Sequence, residues 1–313
     1  MRVVILGKGL MLANIILGVR DAGAEIVGVF RYEQTSTAAF RLLLDDFFRP
    51  APEVTLIKEL KLNQIRLKSA NSQLFRDLLI RQNIDLVIVG TWKEKIQPET
   101  FNIPKIATIN VHPSLLPKYR GPNPYLQTIL HNEEFSGVTL HLMTEEYDAG
   151  PILKQKKIKI EPDYTSKELR DKTTREARTL ITELLNDLNE KVLTPVNQDE
   201  RYSTYYPNIS GKEMMLDFTY QTSDEISRTI RALHPFMPCY ITYKNKYFVV
   251  NPYNYKILHT TNKPSGSIIA KDDSKASITI VCNDKKAIRF TDLKLYGSSG
   301  VKNFIRNKVD VLY

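Results

Sequence analysis

A strand that runs straight into a proline-studded loop sets the tightest limit on how this chain can fold. Lys105 to Val111 is β-rich, and the stretch that follows carries Pro113, Pro117, Gly121, Pro122 and Pro124. Prolines at that density cannot continue as helix or as central strand, so the strand must end there and a loop must open from its end. If the strand persists through position 112, its period of two puts Asn110 and His112 on one face. Downstream, Glu145-Glu146-Tyr147-Asp148-Ala149-Gly150-Pro151 reads as a second tight loop that brings in Tyr147 and Asp148. An amide, an imidazole and a carboxylate are thereby expected to converge at the carboxyl end of one strand.

The chain before that loop reads as parallel α/β. Arg2 to Leu6 is a buried strand, Gly7-Lys8-Gly9 its turn, Leu10 to Ala22 a helix stopped by Gly23, and Glu25 to Phe30 a second strand, which makes a βαβ unit. Gly7 and Gly9 resemble the start of a dinucleotide fingerprint, but Leu12 stands at the third glycine position, so the pattern is incomplete. Thr37 to Phe48 has helical spacing and includes the adjacent acids Asp45 and Asp46, which have no further ligand at a metal-site spacing. Asn71 to Asn83 reads as helix and Ile84 to Gly90 as another buried strand. In a doubly wound sheet, ligands gather outside the carboxyl ends of the strands. That rule places Gly90, Thr91, Trp92 and Ile96 beside Asn110 and His112.

Beyond the loop, Pro124 to His131 suits a short helix, Gly137 to Met143 a strand, and Pro151 to Ile160 a half-exposed strand. Thr165-x-x-Glu168 is a capping box opening a helix to about Leu188. Residues 189–215 are polar and interrupted by Pro195, Pro207 and Gly211, as a linker would be. After a helix from Ser223 that carries Ile226, Ile230 and Leu233, five or six short strands run to Tyr296, the pattern of a small barrel. Domains are accordingly drawn at 1–189 and 216–313.

Size and charge agree with two domains. The chain has 313 residues, long for one small domain, and 42% of them are hydrophobic, as in globular proteins. No apolar run approaches the roughly 20 residues of a membrane span. Lys8 interrupts the apolar start, and Arg20 and Asp21 follow it without a small-residue cleavage site, so the N-terminus reads as a first strand and helix rather than a signal peptide. Cys239 and Cys282 are too few for a disulfide framework or a zinc cluster, and a cytoplasmic location is expected. Residues 1–200 carry 27 Lys and Arg against 26 Asp and Glu, whereas residues 201–313 carry 17 against 9, so nearly all of the +9 net charge lies in the last third. That asymmetry suits either a polyanion contacted by the C-terminal part or a lysine-rich solvated surface.

With these residues in place, the chain resembles the methionyl-tRNA formyltransferases of the folate-dependent formyltransferase superfamily. Asn110-x-His112 and the Asp148-Ala149-Gly150 turn match the superfamily's catalytic pattern. Ser114-Leu115-Leu116-Pro117, Tyr119-Arg120-Gly121-Pro122 and Gly137-Val138-Thr139 are similar to its loop and following strand. The C-terminal Arg231-Ala232-Leu233-x-Pro235 is similar to the family's second domain, although Pro235-Phe236-Met237-Pro238 stands where the family has Pro-Trp-Pro. The resemblance implies a doubly wound, mostly parallel Rossmann-like formyltransferase domain followed by an OB-like barrel. It also implies 10-formyltetrahydrofolate as co-substrate, no metal, and initiator tRNA as partner. The folate would lie against Gly90, Thr91, Trp92, Ile96 and Tyr147, and Ser114, Leu115, Leu116, Pro117 and Arg120 would form the substrate loop.

The implied chemistry suits the residue types. An amine that attacks a formyl carbon makes a tetrahedral adduct with a negative oxygen, and Asn110 and a protonated His112 can donate to it. Asp148 favours the charged imidazole and can take the proton the amine sheds, directly or through water. Arg120 is read either as a holder of an acidic acceptor or as a tie within its own loop. His131, His141, His234 and His259 are expected to be structural or at the surface, and Trp92 either lines the folate pocket or packs on a helix. The alternatives to methionyl-tRNA as acceptor are a nucleotide-linked amino sugar or another small amine, or water, which would make a deformylase.

Overall fold

The computed structural model describes residues 1–32, 51–190 and 194–296. Its N-terminal part is a six-stranded sheet built from β1 (Arg2–Gly7), β2 (Glu25–Arg31), β3 (Leu86–Gly90), β4 (Ala107–His112), β5 (Phe135–Leu142) and β6 (Ile152–Lys159). The order is β2-β1-β3-β4-β5-β6; the first four strands run parallel, and β5 and β6 are antiparallel additions at the β4 edge. β1 and β3 are near-continuous apolar runs because helices cover both their faces.

On one face lie α1 (Gly9–Asp21) and the long α6 (Ser166–Asn189); on the other, α3 (Gln73–Arg81) and the short α4 (Pro98–Phe101). Among the described residues, the remaining helices of this part are α2 (Pro52–Glu59) and α5 (Pro124–Leu130). Leu12, Ile15, Ile16 and Val19 of α1 meet Ala177, Ile181, Leu184 and Leu185 of α6 over the sheet. The approach is close at Gly18, where a Cβ would stand 2.7 Å from the Arg178 carbonyl oxygen. The opposite face packs Phe30, Phe75, Leu79, Val87, Val89 and Phe101. The expected capping box starts α6: Thr165 accepts from the Lys167 N–H while Glu168 reaches back to the Thr165 N–H at 3.0 Å.

The C-terminal part begins with α7 (Ser223–Leu233), itself opened by a Thr222/Glu225 capping box. Two antiparallel sheets follow. One has the order β10 (Ile268–Asp272), β11 (Ser277–Val281), β12 (Lys286–Phe290), β9 (Tyr255–Thr260); the other is β13 (Lys294–Leu295), β8 (Lys246–Val249), β7 (Tyr240–Tyr243). Their shared core, with Ile226, Ile230, Ile280, Ile288 and Phe290, is continuous with Leu126, Ile129, Ile158 and Leu169 of the N-terminal part. Arg231 also donates to the Tyr164 carbonyl at 2.7 Å. The two parts are therefore joined by packing as well as by the chain.

The helix expected over Thr37 to Phe48, with Asp45 and Asp46, lies outside the described residues. Among the described residues no helix is long and apolar enough to cross a membrane.

Candidate active site

β4 carries the first two residues of the site. Its register against β5 sets Asn110 opposite His141 and His112 opposite Thr139. Because side chains alternate along a strand, all four point to one side of the sheet. The chain then leaves β5 through residues 143–151 and returns Asp148 to the same spot. Asp148 has φ of 55°, left-handed backbone that a short polar residue tolerates better than most.

One carboxylate oxygen is the focus of the cluster. Asp148 Oδ1 lies 3.3 Å from His112 Nδ1 and accepts from Asn110 Nδ2 at 3.3 Å. Asp148 Oδ2 accepts the Gly121 N–H at 2.9 Å. His112 Nε2 stands 2.8 Å from the Tyr119 carbonyl oxygen. Both ring nitrogens of His112 thus face acceptors, which only the imidazolium satisfies on both sides. Burial opposes that charge, but the Asp148 carboxylate and the Tyr119 carbonyl outweigh it and raise the His112 pKa above its ordinary value, with Arg120 opposing. Burial likewise pushes the Asp148 carboxyl up, yet the charge and N–H of His112 and the Gly121 N–H hold it well below the usual carboxylate range.

His141 belongs to this cluster, against the expectation of a structural or surface role. Its Nδ1 lies 2.9 Å from the Leu142 carbonyl oxygen and its Nε2 3.1 Å from Asn110 Nδ2. The pattern fits a neutral ring that donates from Nδ1 and accepts the Asn110 amide at Nε2. At 3.7 Å from Asp148 Oδ1, Nε2 is too far for a direct hydrogen bond to the carboxylate. The polar positions Thr139 and His141, alternating with the apolar Val138, Leu140 and Leu142, were the signal that could have marked this residue.

The loop from Ser114 to Pro117 is pinned beneath the cluster. Thr139 Oγ1 donates to the Ser114 carbonyl at 2.7 Å and accepts the Leu116 N–H at 3.3 Å, and Gln155 Nε2 donates to both Thr139 Oγ1 and the Leu116 carbonyl at 2.9 Å. Ser114 itself is fully buried and donates to the Lys118 carbonyl, Leu116 is buried, and Leu115 packs at Gly137.

Arg120 is engaged by the segment read as a linker. Its guanidinium donates to both carboxylate oxygens of Glu200, at 2.6 and 2.9 Å, and to Gln198 Oε1 at 2.8 Å. Thr204 pairs with the same loop through the Tyr119 and Arg120 N–H groups and the Pro117 carbonyl, and Tyr206 stacks on Tyr119 at 5.1 Å. At Gly121 a Cβ would fall 2.7 Å from the Tyr205 ring, so only glycine admits that ring. Nothing local in the sequence around Gln198, Glu200 or Thr204 announces these contacts.

The other expected ligand residues are placed less uniformly. Gly90 ends β3 next to the Asn110 register, but a Cβ there would meet Ile15 and Met11, so its smallness serves helix packing. Thr91 is exposed with φ of 57°, a strained conformation for a β-branched residue. Trp92 packs edge-on to Phe30 and Tyr32 at 5.1 and 5.3 Å, and its buried Nε1 has no acceptor among the described residues. Ile96 is in the core. Tyr147 is exposed, with Lys95 Nζ 5.5 Å above its ring.

The arrangement concentrates the N–H donors of Asn110 and His112 on a single negative oxygen, which is what stabilises the adduct of acyl transfer. The sequence profile of the family described as Formyl transferase matches residues 1–185. The chain belongs to this formyl transferase family. A second profile, Formyl transferase, C-terminal domain, matches residues 208–306. Among curated relatives, a protein of Caldanaerobacter subterraneus subsp. tengcongensis named methionyl-tRNA formyltransferase is 29% identical over 261 residues, 82% of each chain. One of the same name from Thermotoga neapolitana is 30% identical over 232 residues, 74% of this chain and 72% of that one.

Two solved structures share the fold of this formyl transferase. The N-formyltransferase of Helicobacter canadensis, in complex with folinic acid and dTDP-3-aminofucose, aligns with a TM-score of 0.64 at 17% identity, over 94% of this chain and 99% of that one. HypX of Aquifex aeolicus, in complex with tetrahydrofolic acid, aligns with a TM-score of 0.65 at 18% identity, over 98% of this chain and 48% of that one.

Proposed function

We propose that the protein transfers a formyl group from 10-formyltetrahydrofolate to the amino group of methionyl initiator tRNA. The observation that carries the chemistry is the meeting of Asn110 and His112 at one anionic oxygen. In the reaction the amine nitrogen bonds to the formyl carbon, the carbonyl electron pair moves to oxygen, and the bond to the folate nitrogen breaks. Asn110 Nδ2 and His112 Nδ1 supply the donors for that oxygen, giving up contacts they now make to Asp148 Oδ1. Asp148 keeps His112 charged in the resting site and takes up the proton the amine sheds, directly or through water. That proton then passes through water to the folate nitrogen, as the oxygen's electron pair re-forms the carbonyl and the bond to the folate nitrogen breaks.

Folate as donor is supported by the folates held in the two solved structures of this fold, and by the rule that ligands of a doubly wound sheet gather at the carboxyl ends of its strands, here β3 and β4. On this reading Gly90, Thr91, Trp92, Ile96 and Tyr147 border the donor, and the loop from Ser114 to Arg120 the acceptor. Relatives that match over 82% of both chains and the net +8 of residues 201–313 favour tRNA as acceptor. Residues 1–189 then act as the catalytic domain, 190–215 as the connection and 216–313 as the tRNA-contacting domain. Two buried thiols, Cys239 and Cys282, suit a reducing compartment such as the cytoplasm.

The amino-sugar nucleotide of the Helicobacter canadensis structure defines the second reading. Labelled 10-formyltetrahydrofolate, offered with methionyl-tRNA, an amino-sugar nucleotide or no acceptor, separates them. Label on the methionyl amine supports tRNA; label only on the sugar overturns it; formate released at full rate without acceptor points to hydrolysis.

A further inference from the structure

The segment between the two sheet systems lies along the site instead of spanning open solvent. Val196 pairs with Ile152 through two backbone hydrogen bonds of 2.8 Å, and Tyr205 bridges in parallel to Arg120. Between them Gln198 reaches into the active-site loops. Its Nε2 donates to the Asp148 carbonyl and to the Gly150 carbonyl, both at 2.8 Å, and its Oε1 accepts from Arg120. We propose that Gln198 is a positioning residue for formyl transfer, whose carboxamide locks the Asp148 turn to the Arg120 loop.

The geometry closes a circuit. Asp148 sits in left-handed backbone, a conformation held here by contacts from outside its own turn. Gln198 holds that turn by its main chain, spending both amide protons on carbonyls two residues apart, and Arg120 orients the amide by filling its oxygen. Arg120 is in turn flanked by the two backbone groups that aim the catalytic pair: the Tyr119 carbonyl at His112 Nε2, and the Gly121 N–H at Asp148 Oδ2. One side chain from outside both loops therefore fixes the separation between His112 Nδ1 and Asp148 Oδ1. A displacement near 1 Å in such a constellation costs about 10²-fold in rate. Glu200, paired with the far side of Arg120, completes the clamp.

This inference rests on the formyl-transfer reading, and its test is chosen to survive that reading's failure. Gln198→Ala and the uncharged, similarly sized Gln198→Met, which lose both donors without adding charge, are compared with wild type in the full chain. The expected result is a fall in kcat approaching about 10²-fold with donor KM and thermal midpoint near wild type. By NMR, the His112 ring titration should move down toward the ordinary 6.5. The charged groups around that ring are Asp148 beyond β5, Arg120 on its own loop and, across Asp148, the titratable His141. Unchanged kcat and an unmoved ring titration in either folded variant overturn the proposal, as does a loss confined to KM. The titration needs no acceptor, so it stands even if no amine is formylated. Where neither variant folds, wild type decides: carboxamide protons of Gln198 exchanging as fast as those of a solvated glutamine overturn it, and protected ones support it.

Discussion

Asn110 and His141 face each other across the β4–β5 ladder, amide nitrogen to imidazole nitrogen at 3.1 Å, and this pairing orients the Asn110 amide toward Asp148. A neutral His141 anchored on the Leu142 carbonyl offers a lone pair to one amide proton and leaves the other for a negative oxygen.

Replacing His141 by Phe removes that acceptor and the Nδ1 donor to the Leu142 carbonyl. Stability is expected to fall by about 1–3 kcal/mol in denaturant titration, with turnover reduced because the Asn110 amide loses its orientation. Wild-type turnover in the folded variant would leave His141 with no part in the reaction.

Asp148→Asn keeps shape and removes charge. His112 then loses the interaction that holds its proton, and turnover is expected to fall by about 10²–10³-fold while folate binding, read by fluorescence titration, changes little. Unaltered turnover would remove Asp148 from the site.

The pH dependence of stability follows from the same pair. His112 is raised, so its contribution is complete below the ordinary 6.5 and is lost as pH climbs through its folded-state value. Asp148 is lowered, so its contribution is complete above the ordinary 3.8 and is lost as pH falls through its folded-state value. Both are in full between those ordinary values. Above pH 6.5 wild type should lose stability toward His112→Gln, and parallel curves from pH 5 to 9 would contradict the charged ring.

Thr139→Val preserves volume at a fully buried position and breaks contacts with the Ser114 carbonyl, the Leu116 N–H and Gln155. The expected loss is about 1–3 kcal/mol, with a raised KM for the acceptor as the loop loosens. Equal unfolding midpoints for variant and wild type would show that the anchor is dispensable.

On the C-terminal part, Lys285 is exposed with its Nζ 3.2 Å from Ser265 Oγ, whereas Lys286 lies 3.7 Å from Asp284, which offsets its charge. If this face meets tRNA, Lys285→Ser should reduce the slope of log K against log salt by about 1, and Lys286→Ser by less. An unchanged slope for both would place the tRNA elsewhere.

Much of this protein was decided locally. The period of two put Asn110 and His112 side by side, the prolines ended β4 and forced the loop, and Thr165 with Glu168 started α6 through contacts three residues apart. Such signals act over one turn or one strand, so they can be read from the residues alone. Tertiary structure decided what lies opposite. His141 joined the site because β5 returns antiparallel in one register, and a shift of one residue would have turned it to the other face. Gln198 and Glu200, inside a polar stretch with the composition of a linker, became part of the site only because that stretch pairs with Ile152 and Arg120, far away in sequence. A hydrogen bond between distant residues leaves no periodicity in the chain, since it depends on where two separately determined elements come to rest.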